Sequence, residues 1–354
     1  MPAHDAATLL PDTLGALQRS TLPRDQWELL VVDDASRDDT ARVARAFADR
    51  VISLPAPARG PGGARNEAAR VARGEWLVFI DADVRVHADT LERFDTASRG
   101  AGDLVAIFGS YDATPAAAGL LSEYRNLLHR RVHLLGAGEA ETFWAGCGAV
   151  RRDAFAAVGG FDTARFPRPQ IEDIDLGYRL RDRGGRILLD PAIEATHLKR
   201  WHFWPMLRTD VRDRGIPWMR LLLERRGRTA PSLNTGAVEQ LKVAGVALAV
   251  VSLVASLLLG APVAALAGLA LLLAMVALNR DTYAWFARQR GAAFAVAVIP
   301  LHLLYYLSNA VAAGVGIVLH LVAGPTRSLA AQGAGDGPIT SPPGSSHERT
   351  VIRP

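Results

Sequence analysis

The chain has 354 residues, 49 % of them apolar, a formal charge of +4 and a pI near 9.5. That is long enough for one large domain with an appendage, and the lone Cys147 excludes a disulfide framework or a cysteine metal site and suits a small packing residue. Many of the arginines lie between 199 and 228, just ahead of an apolar block, which fits a membrane surface and argues against a nucleic-acid partner.

Residues 5–19 are expected to form a helix. The next run, Leu29–Val32, reads as a buried strand ending in Asp33-Asp34. Ser36 to Asp39 reads as a helix-capping start, with Val43, Ala44 and Phe47 on one face of the helix it opens. Val51–Leu54 is a short strand, Gly60–Gly63 a loop, and Ala64–Arg73 a helix. The next strand, Trp76–Ile80, runs into Asp81-Ala82-Asp83. Alternating strands and helices predict a parallel, helix-covered sheet, and ligands of such sheets bind at the carboxyl ends of the strands. Carboxylates gathered there repel one another unless a cation or a hydrogen-bonding ligand offsets them. A third acidic cluster, Glu172-Asp173-Ile174-Asp175, opens a helix expected at 171–183. A helix at 151–157, a strand at 186–189 and a turn at Asp190-Pro191 complete this part.

The stretch 203–226, with Trp204, Trp218 and several arginines, reads as an amphipathic interfacial segment. Runs 242–259, 263–279 and 292–323 approach spanning length and predict two or three transmembrane helices. Arg280, Arg288 and Arg290 between the second and third runs place that connection in the cytoplasm. With no signal peptide evident, the N-terminal domain is expected on the same side, in a multi-pass protein of the inner membrane. The organisation expected is 1–202 catalytic, 203–240 interfacial, 241–324 transmembrane and 325–354 a disordered tail.

In order, the segments Asp33 to Thr40, Gly63-Ala64-Arg65-Asn66, Asp81-Ala82-Asp83, Gly159-Gly160-Phe161-Asp162 and Glu172 to Asp175 resemble family 2 glycosyltransferases of the GT-A fold. The resemblance covers roughly residues 1–205. It implies an α/β, Rossmann-like, mostly parallel sheet flanked by helices, and an inverting transferase using a UDP-, GDP- or dTDP-sugar. It assigns the donor nucleotide to Asp33, Asp34, Arg65 and Asp81. A divalent cation, Mg²⁺ or Mn²⁺, goes to Asp83 with Asp81, and general-base catalysis to Asp173. Hard cations of this kind are held by one or two carboxylates plus substrate phosphates. His197-Leu198-Lys199-Arg200-Trp201 resembles the Gln-x-x-Arg-Trp motif of processive glycan synthases, with His197 in place of Gln. Lys199 and Arg200 then face the diphosphate, Trp201 stacks on the acceptor sugar, and His197 is a metal or phosphate contact. Glu172 and Asp175 are grouped with the donor diphosphate or acceptor, or orient arginines such as Arg179.

Members of this family open with an apolar strand ahead of the segment matched by Pro2 to Asp5, so the first central strand is expected to be missing and the true start to lie upstream. The leading reading is a membrane-anchored transferase acting on a lipid-linked or glycan acceptor. The alternatives are a processive polysaccharide synthase and a catalytically silent membrane scaffold. A transporter ranks last, because the apolar runs are almost purely Ala, Leu and Val.

Overall fold

The computed structural model describes residues 1–99, 102–228 and 235–325. The chain opens with β1 (Pro2–Ala3), α1 (Leu10–Gln18), β2 (Leu30–Asp34), α2 (Thr40–Ala44), β3 (Arg50–Leu54) and α3 (Gly60–Val71). The three strands form a parallel sheet in the order β1-β2-β3. β2 is buried along its whole length because its alternate residues enter two cores. Val31 packs with Leu10 and Leu14 of α1, whereas Leu30 and Val32 pack with Ala64 and Ala68 of α3. The strand expected to be missing is present as a two-residue piece. Pro2 pairs with Val32 and Ala3 with Asp33. The Met1 ammonium donates to the Leu30 carbonyl at 2.8 Å, and Val32 N–H donates to the Met1 carbonyl at 2.9 Å. This edge of β2 is therefore paired, and a two-residue strand stands where a missing one was expected.

The second sheet comes from β4 (Trp76–Ile80), β5 (Val84–Val86), α4 (Thr90–Ser98), β6 (Leu104–Tyr111), α5 (Leu120–Leu135), β7 (Gly138–Ala140), β8 (Cys147–Arg151), α6 (Arg152–Ala157), α7 (Glu172–Asp182) and β9 (Arg186–His197). Its order is β4-β8-β6-β9-β5, with β7 added to β9. β6 and β9 run parallel; the other pairs are antiparallel. β9 is far longer than the strand expected at 186–189, continuing through Asp190-Pro191. A register shift between Phe108 and Ser110 of β6 absorbs the extra residues. Gly109 sits at that shift, where a Cβ would lie 2.1 Å from the Ile193 carbonyl oxygen, so no larger residue fits. The continuation delivers His197 to the end of the sheet, paired with Val84 of β5.

After β9 come α8 (Phe203–Arg208), a wide π-type turn over Thr209–Gly215, and α9 (Ile216–Glu224). The apolar block then comprises α10 (Ala237–Leu259), α11 (Pro262–Leu278), α12 (Arg280–Arg290), α13 (Ala292–Ala297) and α14 (Ile299–Ala323). Two stretches are long and apolar enough to cross a membrane, Ala237–Leu259 and Ala292–Ala323. The pair α11–α12, bent by 59°, makes a third if counted as one broken span. Leu257, Leu258, Leu259 and Val263 point outward, as residues facing lipid do. The segment 203–226 does not stand apart. Glycines let it approach α14 closely, since a Cβ on Gly215 would fall 2.5 Å from that of Ala312, and one on Gly316 2.8 Å from that of Met219. α12 turns back onto the catalytic part, where Tyr283, Trp285 and Phe286 share a core with Tyr124, Leu127 and Leu128 of α5, and Arg290 pairs with Glu123 at 2.7 Å. The tail expected to be disordered, from 326 on, lies outside the described residues.

Candidate active site

The acids at the strand ends divide by geometry. Adjacent residues of a strand face opposite sides, so Asp33 and Asp34 cannot both enter the cleft. Asp33 accepts Ser36 N–H at 3.1 Å and stays off the cleft wall. Asp34 lines the cleft, and its two oxygens accept Arg59 N–H and Gly60 N–H at 2.8 Å each, which caps α3. Gly60 takes a φ of +76° there, a conformation glycine adopts freely.

Arg65, on the first turns of α3, is 4 % exposed. Its guanidinium donates to Asp81 Oδ1 at 2.5 Å and to Glu172 Oε1 at 3.3 Å, so one cation ties α3, the end of β4 and the start of α7 together. The next residue secures the arrangement. Asn66 donates to the Phe161 carbonyl and accepts its N–H, both at 2.9 Å, while the Arg65 guanidinium lies 5.3 Å from the Phe161 ring centre. Burial pushes the carboxyls of Asp81 and Glu172 up. Asp83 and Asp173 add to the shift at Asp81, and Asp173 adds to it at Glu172, while Arg65 opposes it at both. Arg65 is thus the buried cation that offsets the charge shared by Asp81 and Glu172.

Asp83 faces a different set. Burial works upward on its carboxyl, but His197 and Lys199 outweigh that and hold it below the usual range. His197 Nε2 lies 3.7 Å from Asp83 Oδ2, and its ring stacks on Tyr111 at 4.3 Å between centroids. Leu198 N–H donates to the Asp83 carbonyl at 2.8 Å, which fixes the two segments edge to edge. Among the described residues no three His, Cys, Asp or Glu side chains group to hold a metal by themselves. The oxygen donors of Asp83 and of Asp81, two residues away, are the groups that would hold a divalent cation here, with the His197 imidazole beside them.

On α7, Asp173 lines the cleft. One oxygen accepts Ala145 N–H at 3.1 Å and the other Ile174 N–H at 2.8 Å, which orients the carboxylate. Asp175 lies about 200° further round the helix, away from the cleft, and accepts from Arg179 Nε at 2.7 Å with Arg165 at 3.6 Å. Of the two roles expected for it, this placement fits the orientation of arginines. Arg200 also stays off the cleft wall, donating to the Ala118 carbonyl at 3.2 Å. Trp201 lines the cleft, but its ring has the Lys199 ammonium at 4.3 Å and the Arg125 guanidinium at 5.3 Å. Two cations thus compete with the expected stacking on a sugar.

All of this surrounds one cavity of about 830 Å³, reaching from Pro2 and Asp34 past Asp83 and Asp173 to Tyr305 and Asn309 of α14. Sequence reasoning missed part of its wall. Tyr111, Trp144 and His129 form an aromatic cluster beside His197, with Trp144 4.8 Å from Tyr111 and 4.7 Å from His129. Arg214, on the π-type turn, lines the end near α14 and makes no ion pair among the described residues. The one available signal was the run of small residues around Trp144; nothing local marks His129 or Arg214.

A three-stranded parallel sheet beside a mixed one, helix-borne acids and a cleft of carboxylates at the strand ends define the class, a GT-A type glycosyltransferase domain. Residues 1–159 match the family described as Glycosyl transferase family 2. Over 104 residues the chain is 28 % identical to the poly(ribitol-phosphate) beta-glucosyltransferase of Bacillus spizizenii, covering 28 % of this chain and 16 % of that protein. Over 94 residues it is 35 % identical to the UDP-Glc:alpha-D-GlcNAc-diphosphoundecaprenol beta-1,3-glucosyltransferase of Escherichia coli, covering 26 % of this chain and 36 % of that one. The chain thus spans well under two thirds of these relatives' own length. The solved structure of a mannosyltransferase from Pyrobaculum calidifontis, in complex with GDP-Man and Mn²⁺, superimposes with a TM-score of 0.52 at 20 % identity. It covers 91 % of this chain and 86 % of that one, which establishes the shared fold.

Proposed function

We propose that the chain is a membrane-anchored, inverting glycosyltransferase that moves a sugar from a nucleotide donor to a lipid-linked acceptor at the cytoplasmic face of the inner membrane. The observation that carries this reading is the single cavity that joins the acid-lined cleft to α14, a helix of the apolar block. An acceptor held by a membrane lipid can enter at the α14 end and a soluble nucleotide sugar at the Asp34 end, so both substrates reach Asp173 without leaving the cavity. The Escherichia coli relative, named for a diphosphoundecaprenol acceptor, points the same way.

Asp173 is the base in this scheme. With its two oxygens oriented by Ala145 N–H and Ile174 N–H, it takes the proton of the acceptor hydroxyl as that oxygen attacks the anomeric carbon. The bond to the nucleoside diphosphate breaks as the new one forms, on the opposite face, and the configuration inverts. Asp83, with His197 and Asp81, would hold the Mg²⁺ or Mn²⁺ ion, which supplies charge neutralisation on the departing diphosphate. Arg65 holds Asp81 and Glu172 in place, and Lys199 provides a cation at the same mouth.

The test is nucleotide release from a panel of UDP-, GDP- and dTDP-sugars by membranes containing the protein, with Mn²⁺ or Mg²⁺ or with chelator. Membranes carrying Asp173→Asn serve as background. Metal-dependent release above that background from one donor, with the sugar recovered in the lipid fraction, is the expected result. Release confined to a water-soluble product, or equal in the variant, refutes the acceptor class or the base assignment respectively.

A further inference from the structure

A second cavity, of about 140 Å³, lies at the seam between α5 of the catalytic domain and the ends of α10, α11 and α14 that face it. A void of this size holds a group of several heavy atoms; an engineered apolar cavity of about 150 Å³ accepts benzene. This one is polar. Lys242 is 8 % exposed and His302 2 %, and both line it, together with Arg131, Thr282 and Asn279.

The charges around it do not balance. Glu239, the carboxylate on the wall, is already engaged by Lys242 Nζ at 2.6 Å and the Tyr306 hydroxyl at 3.1 Å. Arg131 makes no ion pair among the described residues, and its Nε is buried without a hydrogen-bond partner. Its charged neighbours include a second cation without an ion pair among the described residues, Arg288. Burial and then Arg288 weaken the hold of Arg131 on its proton, and Asp281, which pairs with Arg280 at 3.7 Å, offsets this in part. His302 Nδ1 is also buried and unpartnered. Two orphaned nitrogens on the wall, one of them on Arg131, with the exposed Arg288 adding positive charge from outside it, call for an anion with several acceptor oxygens. Leu135, 66 % exposed, stands at the same wall, so an apolar chain can continue from the anion along the outside of α5.

We propose that this seam cavity binds the phosphate headgroup of an anionic membrane lipid, which ties the catalytic domain to the membrane helices. The inference rests on the membrane-anchored reading above but not on the sugar chemistry. Basic pockets between helices at the cytoplasmic surface select such lipids. Arginine suits the role because its fork meets two phosphate oxygens at once.

The full chain is placed in nanodiscs of phosphatidylcholine alone or with phosphatidylglycerol added. Thermal midpoints are followed by tryptophan fluorescence, and lipids retained after detergent extraction are counted by native mass spectrometry. The wild type is expected to retain phosphatidylglycerol at least tenfold over phosphatidylcholine, equivalent to about 1.4 kcal/mol, and to melt higher in the mixed discs. Arg131→Gln and Arg288→Gln are expected to lose both the retention and the rise, with midpoints in phosphatidylcholine unchanged. Preference surviving both substitutions overturns the proposal, as does an equal fall of the midpoint in both disc types, which marks a merely structural role. Inorganic phosphate reproducing the rise in phosphatidylcholine discs overturns the lipid assignment. A chain that fails to float with liposomes of either composition overturns the anchoring reading itself. One that floats without lipid preference overturns this inference alone.

Discussion

Removing the Arg65 guanidinium tests whether one cation organises the active-site acids. In Arg65→Met the thioether chain keeps most of the packing over Phe161, but Glu172 and Asp81 lose their shared partner. The two losses are unequal. The Asp81 side chain is 34 % exposed and can turn to water, whereas that of Glu172 is 7 % exposed and cannot. Breaking a buried pair by deleting one member costs about 3–5 kcal/mol. For a domain of this size that corresponds to a fall in melting temperature of roughly 6–20 °C. The pH dependence identifies the cause. Burial and Asp173 already raise the Glu172 carboxyl, and Arg65 alone opposes them through charge. Without Arg65 the folded-state value rises further above the unfolded one, so the folded protein binds the extra proton. The penalty is then full at alkaline pH and shrinks as pH falls toward the unfolded carboxylate range. Melting of the full chain at pH 8 and pH 5.5 should show the variant closing on the wild type in acid. Arg65→Met with Glu172→Gln should recover much of the loss at pH 8. A pH-independent loss, or no recovery in the double variant, refutes the pairing as the source. An exposed pair such as Arg24–Asp49, at 2.6 Å, is the control and should change the midpoint little.

Asp173→Asn should lower transfer by about 10²–10⁴-fold with donor affinity unchanged, as measured by nucleotide-sugar titration; wild-type turnover would remove Asp173 from the base role. His197→Ala should raise the metal concentration for half-maximal activity by about 10–100-fold, and an unchanged metal titration would confine His197 to stacking on Tyr111. Burial lowers the His133 imidazole from 6.5 to about 4, so the unfolded chain takes up a proton that the folded one refuses. The stability contributed is present above pH 6.5 and falls by about 1.4 kcal/mol per unit as pH drops toward 4. In His133→Gln, urea melts across that range should show a slope shallower by one proton.

Much of this architecture is visible in the sequence because it arises from local pattern. The run Leu29–Val32 is buried on both faces as its composition implies, and acids at the head of α7 with arginines at its end mark that helix to within a residue at each end. β9 escapes such reasoning. Asp190-Pro191 reads as a turn, and only the bulge opposite Gly109, some eighty residues earlier in the chain, lets the strand continue to His197. The meeting of His197 with Asp83 is therefore a consequence of sheet register, which no local window contains. The Arg65–Glu172 pair, separated by 107 residues, is hidden for the same reason.

The acids divide in a way that composition conceals and periodicity reveals. Asp33 and Asp34 share a strand end and must point apart; Asp173 and Asp175 share a helix turn and lie about 200° apart. In each pair one carboxylate enters the cleft and the other is satisfied behind it, Asp33 by the Ser36 N–H and Asp175 by Arg179 and Arg165. The division answers the electrostatic problem posed by the motif. Were all the acids to face one mouth, their mutual repulsion would fall on a cleft whose most deeply buried cation is Arg65. With Asp33 and Asp175 turned away and Glu172 held by Arg65, the acids of the motifs that face open cleft are Asp34, Asp81, Asp83 and Asp173. Asp34 and Asp173 are quieted by backbone N–H groups and Asp81 by Arg65. Asp83 has His197 at 3.7 Å and the field of Lys199, which keep its carboxylate charged. Held in its charged form while facing open cleft, it occupies the position a metal-binding carboxylate should have before its substrate arrives.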